Sequence, residues 1–344
     1  MDAHLAGKKI LVTGGASFIG SHLVDKLVAI GADVTVVDDL SSGRLANLSA
    51  SPAAKVERLD IQHCDQSQLR EAFRGSEIVY HLAAVHGGRG YIDSHPADVC
   101  SNFAIDNRVF ETCRLEDVSS VVFASSACAY PPGLQGDPRQ EYRLKETDAQ
   151  LGNLTLPLSA DLEYGWAKLM GEVQLLAFVR QYGVSGASLR FVTAYGEREN
   201  ESHAIIALIY KAHERMDPFE IWGNGEQSRD FTYVSDIVDG CVLAGEKIRD
   251  GRAINLGTGV RYSLNDVAKL ILTIMDFHPT LRHDLSKPTG VVNRALDISE
   301  ASRVLGWSPR VSLEDGLRRT IRWYEKTHPR LGSVDNRLLV ERAP

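Results

Sequence analysis

The sequence lacks the features that mark several classes of protein. Its five cysteines are odd in number and have no Cys-x-x-Cys spacing, so they predict neither a disulfide framework nor a zinc site. No apolar run approaches the length of a membrane span, and the net charge of −7 argues against a nucleic-acid-binding surface. A strand begins within ten residues of Met1, which leaves no room for a signal peptide. We therefore expect a cytoplasmic protein with no bound metal, nucleic acid or membrane.

The stretch from Lys9 to Asp38 predicts a unit that binds a dinucleotide. An apolar strand, Lys9 to Thr13, is followed by a glycine-rich turn, a helix that Gly31 ends, and a second strand that ends at Asp38. Glycines let backbone N–H groups approach a pyrophosphate, and the helix N-terminus supplies partial positive charge. An acid about twenty residues past the turn hydrogen-bonds a ribose and would repel a 2′-phosphate. The sequence therefore predicts NAD, not NADP.

The segments that follow continue to alternate between strands and helices. Strands at Ile78 to Leu82 and Val121 to Ala124 flank a helix predicted at Asn102 to Leu115, which indicates a parallel sheet with right-handed crossovers. Beyond Phe191 the alternation breaks down, but Ala253 to Leu256 reads as a strand that returns to the first domain. We expect an α/β protein: a Rossmann-type doubly wound parallel sheet with a smaller, interleaved C-terminal α/β domain. The predicted divisions are 1–190 with a returning segment near 232–260, a substrate domain at 191–330, and a tail at 331–344.

A tyrosine and a lysine lie one helical turn apart after the fifth strand. Tyr164 and Lys168 share a helix face, and Ser126 stands at the strand end before them. A tyrosine acts as a general base only when nearby positive charge lowers its pKa, and an ammonium group with a nicotinamide ring supplies that charge. Ser126 is then placed to hydrogen-bond the reacting hydroxyl. The glycine-rich segment His86 to Ser94 is either a flexible loop or a place where backbone approaches a substrate.

These motifs resemble the extended short-chain dehydrogenases, which are NAD-dependent sugar-nucleotide epimerases and dehydratases. The family pattern TGxxGxxG fits except that Ser17 replaces the middle glycine. Within the family, the chain is most similar to the GDP-mannose 3,5-epimerases. Four segments carry this likeness: HGGRGYIDS at 86–94, SSACAYP at 125–131, IWGNGEQSRDFTYV at 221–234, and the stretch 290–307. The resemblance implies a sugar-nucleotide substrate and a homodimer paired through the helices near 102–115 and 164–178.

The resemblance also assigns residues to NAD and to the sugar nucleotide. It implies that the dinucleotide contacts Gly14, Ser17, Phe18, Ile19, Gly20, Asp38, Asp60, Ile61, Tyr164 and Lys168, with Asp60 and Ile61 beside the adenine. It implies that the substrate contacts Gly87, Ser126, Ala127, Cys128, Thr193, Ser202, His203, Lys211, Arg229 and Arg294. Arginine has the planar geometry that suits phosphate oxygens, although exposed arginines can also be simple surface charge.

In the family mechanism, the sugar is oxidised at C4, and a base and an acid then exchange the protons at C3 and C5. Cys128 occupies the position of one member of that pair, and His203 stands where the family has the other, a lysine. Histidine can still carry a proton, since its ordinary pKa is about 6.5. Thr193 and Ser202 also replace an asparagine and an acid of the family. The resemblance thus implies catalytic roles for Ser126, Cys128, Tyr164, Lys168 and His203, and leaves the sugar and the number of inverted centres open.

Three other functions are compatible with parts of the sequence. In a 4-epimerase of the UDP-glucose or UDP-glucuronate type, Cys128 and His203 would have no role. A 4,6-dehydratase is disfavoured because Ala127 and Cys128 stand where that family has Asp-Glu. A non-catalytic NAD-sensing protein is disfavoured by the intact Ser126, Tyr164 and Lys168.

Overall fold

The computed structural model describes residues 4–137, 141–150 and 158–330. The predicted tail at 331–344 lies outside these residues. The strands are β1 (Lys9–Thr13), β2 (Asp33–Asp38), β3 (Lys55–Arg58), β4 (Ile78–His81), β5 (Ser120–Ser126), β6 (Gly186–Phe191), β7 (Thr193–Tyr195), β8 (Phe219–Trp222), β9 (Ser228–Arg229), β10 (Phe231–Tyr233), β11 (Ala253–Leu256), β12 (Tyr262–Ser263), β13 (Leu281–Asp284) and β14 (Asn293–Arg294). The helices are α1 (Phe18–Ile30), α2 (Gln66–Phe73), α3 (Arg89–Ser94), α4 (Pro96–Cys100), α5 (Asn102–Leu115), α6 (Leu162–Tyr182), α7 (Ala204–His213), α8 (Val234–Lys247), α9 (Leu264–Ile274), α10 (Ser299–Leu305) and α11 (Leu313–Thr327).

A seven-stranded parallel sheet forms the centre of the molecule. Its order is β3-β2-β1-β4-β5-β6-β11, so the chain reverses direction across the sheet between β1 and β4. Leu27 of α1 and Val242 of α8 pack in the core on one face, while Phe110 of α5 and Leu175 of α6 pack in the core on the other. The predicted doubly wound α/β fold is confirmed. In such sheets, ligands bind beyond the carboxyl ends of the strands at the point of reversal.

Smaller sheets from the second half of the chain lie beyond the carboxyl ends of this sheet. β7 pairs with β10, β8 pairs with β13, and β9 lies between β12 and β14. β11 returns to the edge of the large sheet, where Ala253–Leu256 pairs in parallel with β6. The proposed domain divisions at 190 and 330 remain a prediction. None of the helices in the described ranges is both long and apolar enough to cross a lipid bilayer.

Several elements match their predicted bounds, and others differ for identifiable reasons. β1, α5 and β11 have the predicted limits. The glycine-rich segment predicted as a loop contains α3, which Gly88 precedes in extended conformation and an Arg89–Asp93 ion pair of 2.8 Å supports. Helix α8 is not among the predicted helices, although it lies within the segment 232–260 that is expected to return to the first domain. Its buried Val234, Ile237, Val238, Cys241 and Val242 nevertheless recur at helical spacing.

A buried ion pair ties α6 to the sheet. Arg190 of β6 donates from Nε and Nη2 to the Glu172 carboxylate of α6, at 2.9 and 2.7 Å. The same guanidinium donates to the carbonyl oxygens of Glu146 and Ala149, each at 2.9 Å. Ser125 adds a further hydrogen bond to Glu172. The pair therefore fixes the end of β5, the long helix and the segment 146–149 relative to one another.

Removing one member of this pair should destabilise the fold strongly. Glu172→Ala leaves the Arg190 guanidinium buried without its counter-charge, and we expect the free energy of unfolding to fall by about 3–5 kcal/mol. The control is Glu314→Ala, which removes an ion pair with Arg318 whose side chains are 52 % and 50 % exposed. That loss should stay below about 1 kcal/mol. Urea unfolding followed by circular dichroism measures both values, and equal losses would contradict the structural role of Glu172.

Candidate active site

The turn between β1 and α1 has the shape of a dinucleotide cradle. Gly14 has a φ of +69°, and a Cβ added there would lie 2.8 Å from the Ala83 nitrogen. A Cβ on Gly20 would lie 2.1 Å from the Gly14 carbonyl oxygen, so only glycine lets α1 approach the turn this closely. Ser17 precedes the first residue of α1 and donates its hydroxyl to the Gly14 oxygen at 2.5 Å. The first turn of the helix is therefore presented toward the cleft, as binding a pyrophosphate requires.

Asp38 lies at the carboxyl end of β2, where a dinucleotide-binding fold places its ribose acceptor. One carboxylate oxygen accepts from the Ala16 N–H and the other from the Leu40 N–H, both at 2.9 Å. The side chain thus shapes the adjoining loops, and each oxygen keeps acceptor capacity for a ligand. Asp60 accepts from His63 at 2.8 Å, and Ile61 is 6 % exposed and packs in the core. A contact of Asp60 and Ile61 with the adenine stays a prediction.

The turn after β5 and the start of α6 meet at backbone distance. The Asp161 N–H donates to the Cys128 carbonyl oxygen at 2.8 Å. A Cβ on Gly165 would lie 2.2 Å from that same oxygen, so glycine is required next to Tyr164. The Ser126 hydroxyl accepts from the Cys128 N–H at 3.1 Å. These contacts bring the serine, the cysteine and the tyrosine to one wall of a cleft.

Lys168 lies one turn beyond Tyr164 on the same helix. Its ammonium nitrogen is 5.8 Å from the centre of the Tyr164 ring and 4.9 Å from the centre of the Phe123 ring. Burial raises the pKa of Tyr164, and nearby Cys128 and Asp106 add to this effect. Burial also lowers the pKa of Lys168. Burial thus disfavours the charged form of both groups, and further positive charge beside the phenol would favour a tyrosinate.

Three arginines, Arg89, Arg229 and Arg294, also line the cleft, and two of them contact residues of this wall. Arg294 donates to the Cys128 sulfur at 3.2 Å, to Asp161 at 2.9 Å and to Gln135 at 2.7 Å. Arg89 donates to the other oxygen of Asp161 at 3.0 Å. Arg294 is only 9 % exposed, so it is not a surface charge. One carboxylate thus joins two guanidinium groups, and one of these contacts the cysteine sulfur.

Arg229 has a different environment. Its guanidinium donates to the carbonyl oxygens of Ser228 and Thr289, at 2.8 and 2.7 Å, and it pairs with no carboxylate of the described residues. Burial, followed by the neighbouring Arg294 cation, lowers the pKa of Arg229. Because arginine stays charged in proteins, this guanidinium is left without a direct ion-pair partner among the described residues. An anionic ligand would supply one.

His203 lies at the start of α7 beside a buried acid. Its Nδ1 is 2.9 Å from a carboxylate oxygen of Glu199, and Glu199 is only 6 % exposed. The ring of His86 lies next to that of His203, with 6.3 Å between ring centres. His86 follows β4, and its side chain is exposed to the cleft. The walls of the cleft surround this side chain on the other sides. This enclosure lowers the pKa of His86, and the charges of His203 and Lys168 lower it further.

The cleft, with a volume of about 1490 Å³, brings together most of the predicted site residues. Those that line it are Ser17, Phe18, Ile19, Gly87, Ser126, Cys128, Tyr164, Lys168, Thr193, Ser202, His203, Lys211, Arg229 and Arg294. Those that do not are Gly14, Gly20, Asp38, Asp60, Ile61 and Ala127. Gly14, Gly20 and Asp38 support the cradle from behind, and Ala127 is 1 % exposed in a third core cluster. Among the described residues, no group of three His, Cys, Asp or Glu side chains could hold a metal ion.

Several cleft residues were not assigned from the sequence, and four of them contact the predicted site residues or lie beside them: His86, Arg89, Asp161 and Glu199. His86 and Arg89 belong to the glycine-rich segment after β4, and their position at a strand end was the available signal. Glu199 lies four residues before His203, a spacing that suggests a contact only within a helix, whereas here it spans a loop. Asp161 gave no local signal, because its arginine partners lie far away in the sequence.

Comparisons with known proteins agree with this geometry. The model of the NAD dependent epimerase/dehydratase family matches residues 10–257. A putative UDP-glucose 4-epimerase of Methanocaldococcus jannaschii is 32% identical over 93% of this chain and 99% of its own length. GDP-mannose 3,5-epimerase 1 of Oryza sativa subsp. japonica is 30% identical over 92% of this chain and 82% of its own. The crystal structure of Thermotoga maritima UDP-glucose 4-epimerase with UDP-glucose has a TM-score of 0.81 and 32% identity, over 93% of this chain and 99% of that one.

Enlarging the glycine at the start of α1 should weaken NAD binding. The Cβ of a Gly20→Ala variant would meet the Gly14 carbonyl oxygen, so the helix must move away from the turn. We expect the dissociation constant for NAD to rise at least about tenfold, which corresponds to about 1.4 kcal/mol. Isothermal titration calorimetry on protein stripped of NAD measures this. Gly133→Ala is the control, since its Cβ would have no atom within 4 Å, and a Gly20→Ala variant that binds NAD normally would contradict the cradle.

Proposed function

The chain belongs to the NAD-dependent epimerase/dehydratase family, and from this premise we propose that it is a sugar-nucleotide epimerase that inverts C3, C5 or both through a C4-keto intermediate. One observation carries the proposal. Cys128 and His203 line the same cleft as Ser126, Tyr164 and Lys168. The last three residues are sufficient for oxidation and reduction at C4. Two further groups that carry protons are what exchange at C3 or C5 requires.

The arginines of the cleft support a substrate with a diphosphate. Arg229 lacks a carboxylate partner in the described structure. A guanidinium group can donate two parallel hydrogen bonds to the oxygens of one phosphate. Lys211 of α7 adds a positive charge, and burial lowers its pKa. Arg294 contacts Cys128, Asp161 and Gln135. We therefore propose that it positions the cysteine and also binds the diphosphate.

In the first step, Ser126 holds the C4 hydroxyl of the sugar and Tyr164 receives its proton. NAD, when bound, would provide reversible hydride transfer at C4 of the sugar. Gly14, Ser17, Gly20 and Asp38 would hold this cofactor. Lys168 provides positive charge beside the phenol, in addition to that of the nicotinamide ring.

In the second step, the C4 ketone makes the protons on the neighbouring carbons acidic. One of the two side chains removes a proton from C3 or C5, and the other delivers a proton to the opposite face of the same carbon. The number of hydrogen atoms is conserved and the centre is inverted. The Arg294 guanidinium, 3.2 Å from the Cys128 sulfur, provides positive charge where a negative sulfur would develop.

A 4-epimerase is the second candidate. The similarity to UDP-glucose 4-epimerases over 93% of the chain favours it. The similarity to the rice GDP-mannose 3,5-epimerase, together with the two proton-carrying groups in the cleft, favours the first proposal and makes GDP-mannose the first substrate to test.

Hydrogen exchange with solvent distinguishes the two candidates. We expect that incubation of the protein with GDP-mannose in D₂O will place deuterium at C3 or C5 of the recovered sugar, with inversion of that centre, as measured by NMR. Inversion at C4 without deuterium would instead support the 4-epimerase. If GDP-mannose is not turned over but a UDP-, ADP- or dTDP-hexose takes up deuterium at C3 or C5, the proposed reaction would stand with a different substrate.

Removal of the cysteine separates the two chemical steps. Cys128→Ala should lower deuterium incorporation at least about hundredfold, because a positioned acid or base contributes 10²–10⁴-fold to rate. Oxidation at C4, seen as transient absorbance of reduced cofactor, should persist. Cys100→Ala is the control, since Cys100 ends α4 away from the cleft. Unchanged exchange in the Cys128 variant would remove the cysteine from the mechanism.

We also propose a homodimer paired through α5 and α6. Leu162, Trp166 and Met170 form a stripe along α6 at four-residue spacing, and each is 38 % exposed. A helical stripe of large apolar side chains in water is typical of a protein interface.

Charge placed in this stripe should separate the subunits. The double variant Trp166→Glu and Met170→Glu is expected to sediment as a monomer at concentrations where the wild type is a dimer, because burying two carboxylates is costly. Leu285→Glu, at a position 75 % exposed on another surface, should leave the dimer intact. A dimeric double variant would contradict this interface.

A further inference from the structure

Glu199 and His203 form a buried carboxylate–imidazole contact at the edge of the cleft. Glu199 lies in the loop before α7, and the residue before it, Arg198, has a left-handed φ of +68°. This local conformation is uncommon for a side-chain-bearing residue. The chain then brings the Glu199 oxygen to 2.9 Å from the His203 Nδ1. The acid is 6 % exposed, whereas the imidazole lines the cleft.

This contact determines which ring nitrogen is available for chemistry. Burial raises the pKa of Glu199, and the hydrogen bond and the charge of His203 oppose this rise. When Glu199 is ionised, its carboxylate can only accept hydrogen bonds, so the His203 Nδ1 then carries the hydrogen. The remaining ring nitrogen, Nε2, makes no hydrogen bond to the described residues. Gly88 packs close to this side of the ring, since a Cβ added there would lie 3.5 Å from the ring carbon beside Nε2 and 2.5 Å from the Ser202 carbonyl oxygen.

We propose that Glu199 is the positioning residue for His203, holding its Nδ1–H so that Nε2 exchanges the proton with the substrate carbon. This inference rests on the proposed function, in which His203 is one of the two proton-carrying groups. The pair of residues would take the place of the single lysine that the family resemblance implies at this position. Glu199 itself does not touch the substrate.

The charged groups around the two histidines favour protonation of His203 over protonation of His86. Glu199 faces it from the loop, His86 faces it from the segment after β4, and Lys168 faces His86 from α6. Burial pulls the pKa of His203 down, but the hydrogen bond and the charge of Glu199 outweigh burial and raise it. The pKa of His86 is lowered instead. At neutral pH, His203 is therefore the better proton donor of the two.

The proton transfer balances without a further reactant. His203 in its cationic form gives the Nε2 proton to the substrate carbanion and becomes neutral, while its Nδ1–H stays bonded to Glu199. Cys128 has meanwhile taken the carbon proton from the opposite face as a thiolate and become a thiol. Water in the cleft then relays a proton from this thiol to Nε2, so both groups return to their starting forms. In the reverse direction, the neutral ring accepts a carbon proton at Nε2 while Cys128 supplies one from the other face.

NMR titration tests the positioning role without the need for turnover. With ¹³C-labelled histidine, the His203 signal is the one missing from a His203→Gln variant. Glu199→Gln should lower the measured His203 pKa by about one pH unit or more, because it removes a negative partner in direct contact. Glu201→Gln is a matched control, because that acid accepts from the Tyr324 hydroxyl at 2.9 Å and is not bonded to His203. An unchanged His203 pKa in Glu199→Gln would overturn the proposal.

Two further measurements keep the test decisive. If Glu199→Gln fails to fold, the ¹⁵N shifts of neutral His203 in the wild type decide: Nδ1–H supports the proposal, and Nε2–H overturns it. When deuterium exchange into the sugar nucleotide is measured in D₂O, the Glu199→Gln variant should show a pH profile shifted to lower pH. The Glu199→Asp variant keeps a carboxylate and should show a smaller shift. An identical profile in Glu199→Gln would overturn the role. A wild type that exchanges no deuterium with any sugar nucleotide, yet has the expected Nδ1–H, would instead contradict the proposed function.

Discussion

The close contact between the β5 turn and the start of α6 determines the geometry of the whole site. The Cys128 carbonyl oxygen accepts from the Asp161 N–H, and Gly165 packs against it where any larger residue would collide. Ser126 and Cys128 are thereby fixed relative to Tyr164 and Lys168 by backbone atoms, which move less than side chains. Positioning reactive groups on such rigid supports is what makes proton transfers between them efficient.

A second constraint is electrostatic. Burying several guanidinium groups around one cleft is costly unless negative charge accompanies them. Asp161 provides part of this charge to Arg89 and Arg294, and Glu199 provides it to His203. Arg229 forms no ion pair with a described residue and receives only a weaker, longer-range contribution from Asp161, so an anionic ligand would add to its compensation. The protein thus holds the cleft in a state that favours an anion before any ligand arrives.

Much of the fold followed from local patterns in the sequence. The apolar run at Lys9–Thr13, the glycine turn and Gly31 set the bounds of β1 and α1 through short-range effects. Helix α3 was not predicted because a glycine-rich segment has low helix propensity, and here the Arg89–Asp93 ion pair supports the helix in spite of it. Tyr164, Lys168 and Cys128 were predictable as site residues through motif and resemblance. Asp161 and Glu199 were not, because their importance depends on partners that only tertiary packing brings near.

The place of β11 in the sheet has a consequence for the order in which the protein folds on the ribosome. β6 is buried along its whole length, yet its outer neighbour comes from Ala253–Leu256, after residues 192–252 have been made. At about 5–20 residues per second, that interval lasts on the order of several seconds. During this time, β6 is an apolar sheet edge with unpaired backbone groups, which is the kind of surface on which chains associate. A chaperone that binds the nascent chain would therefore be most useful between the emergence of these two strands.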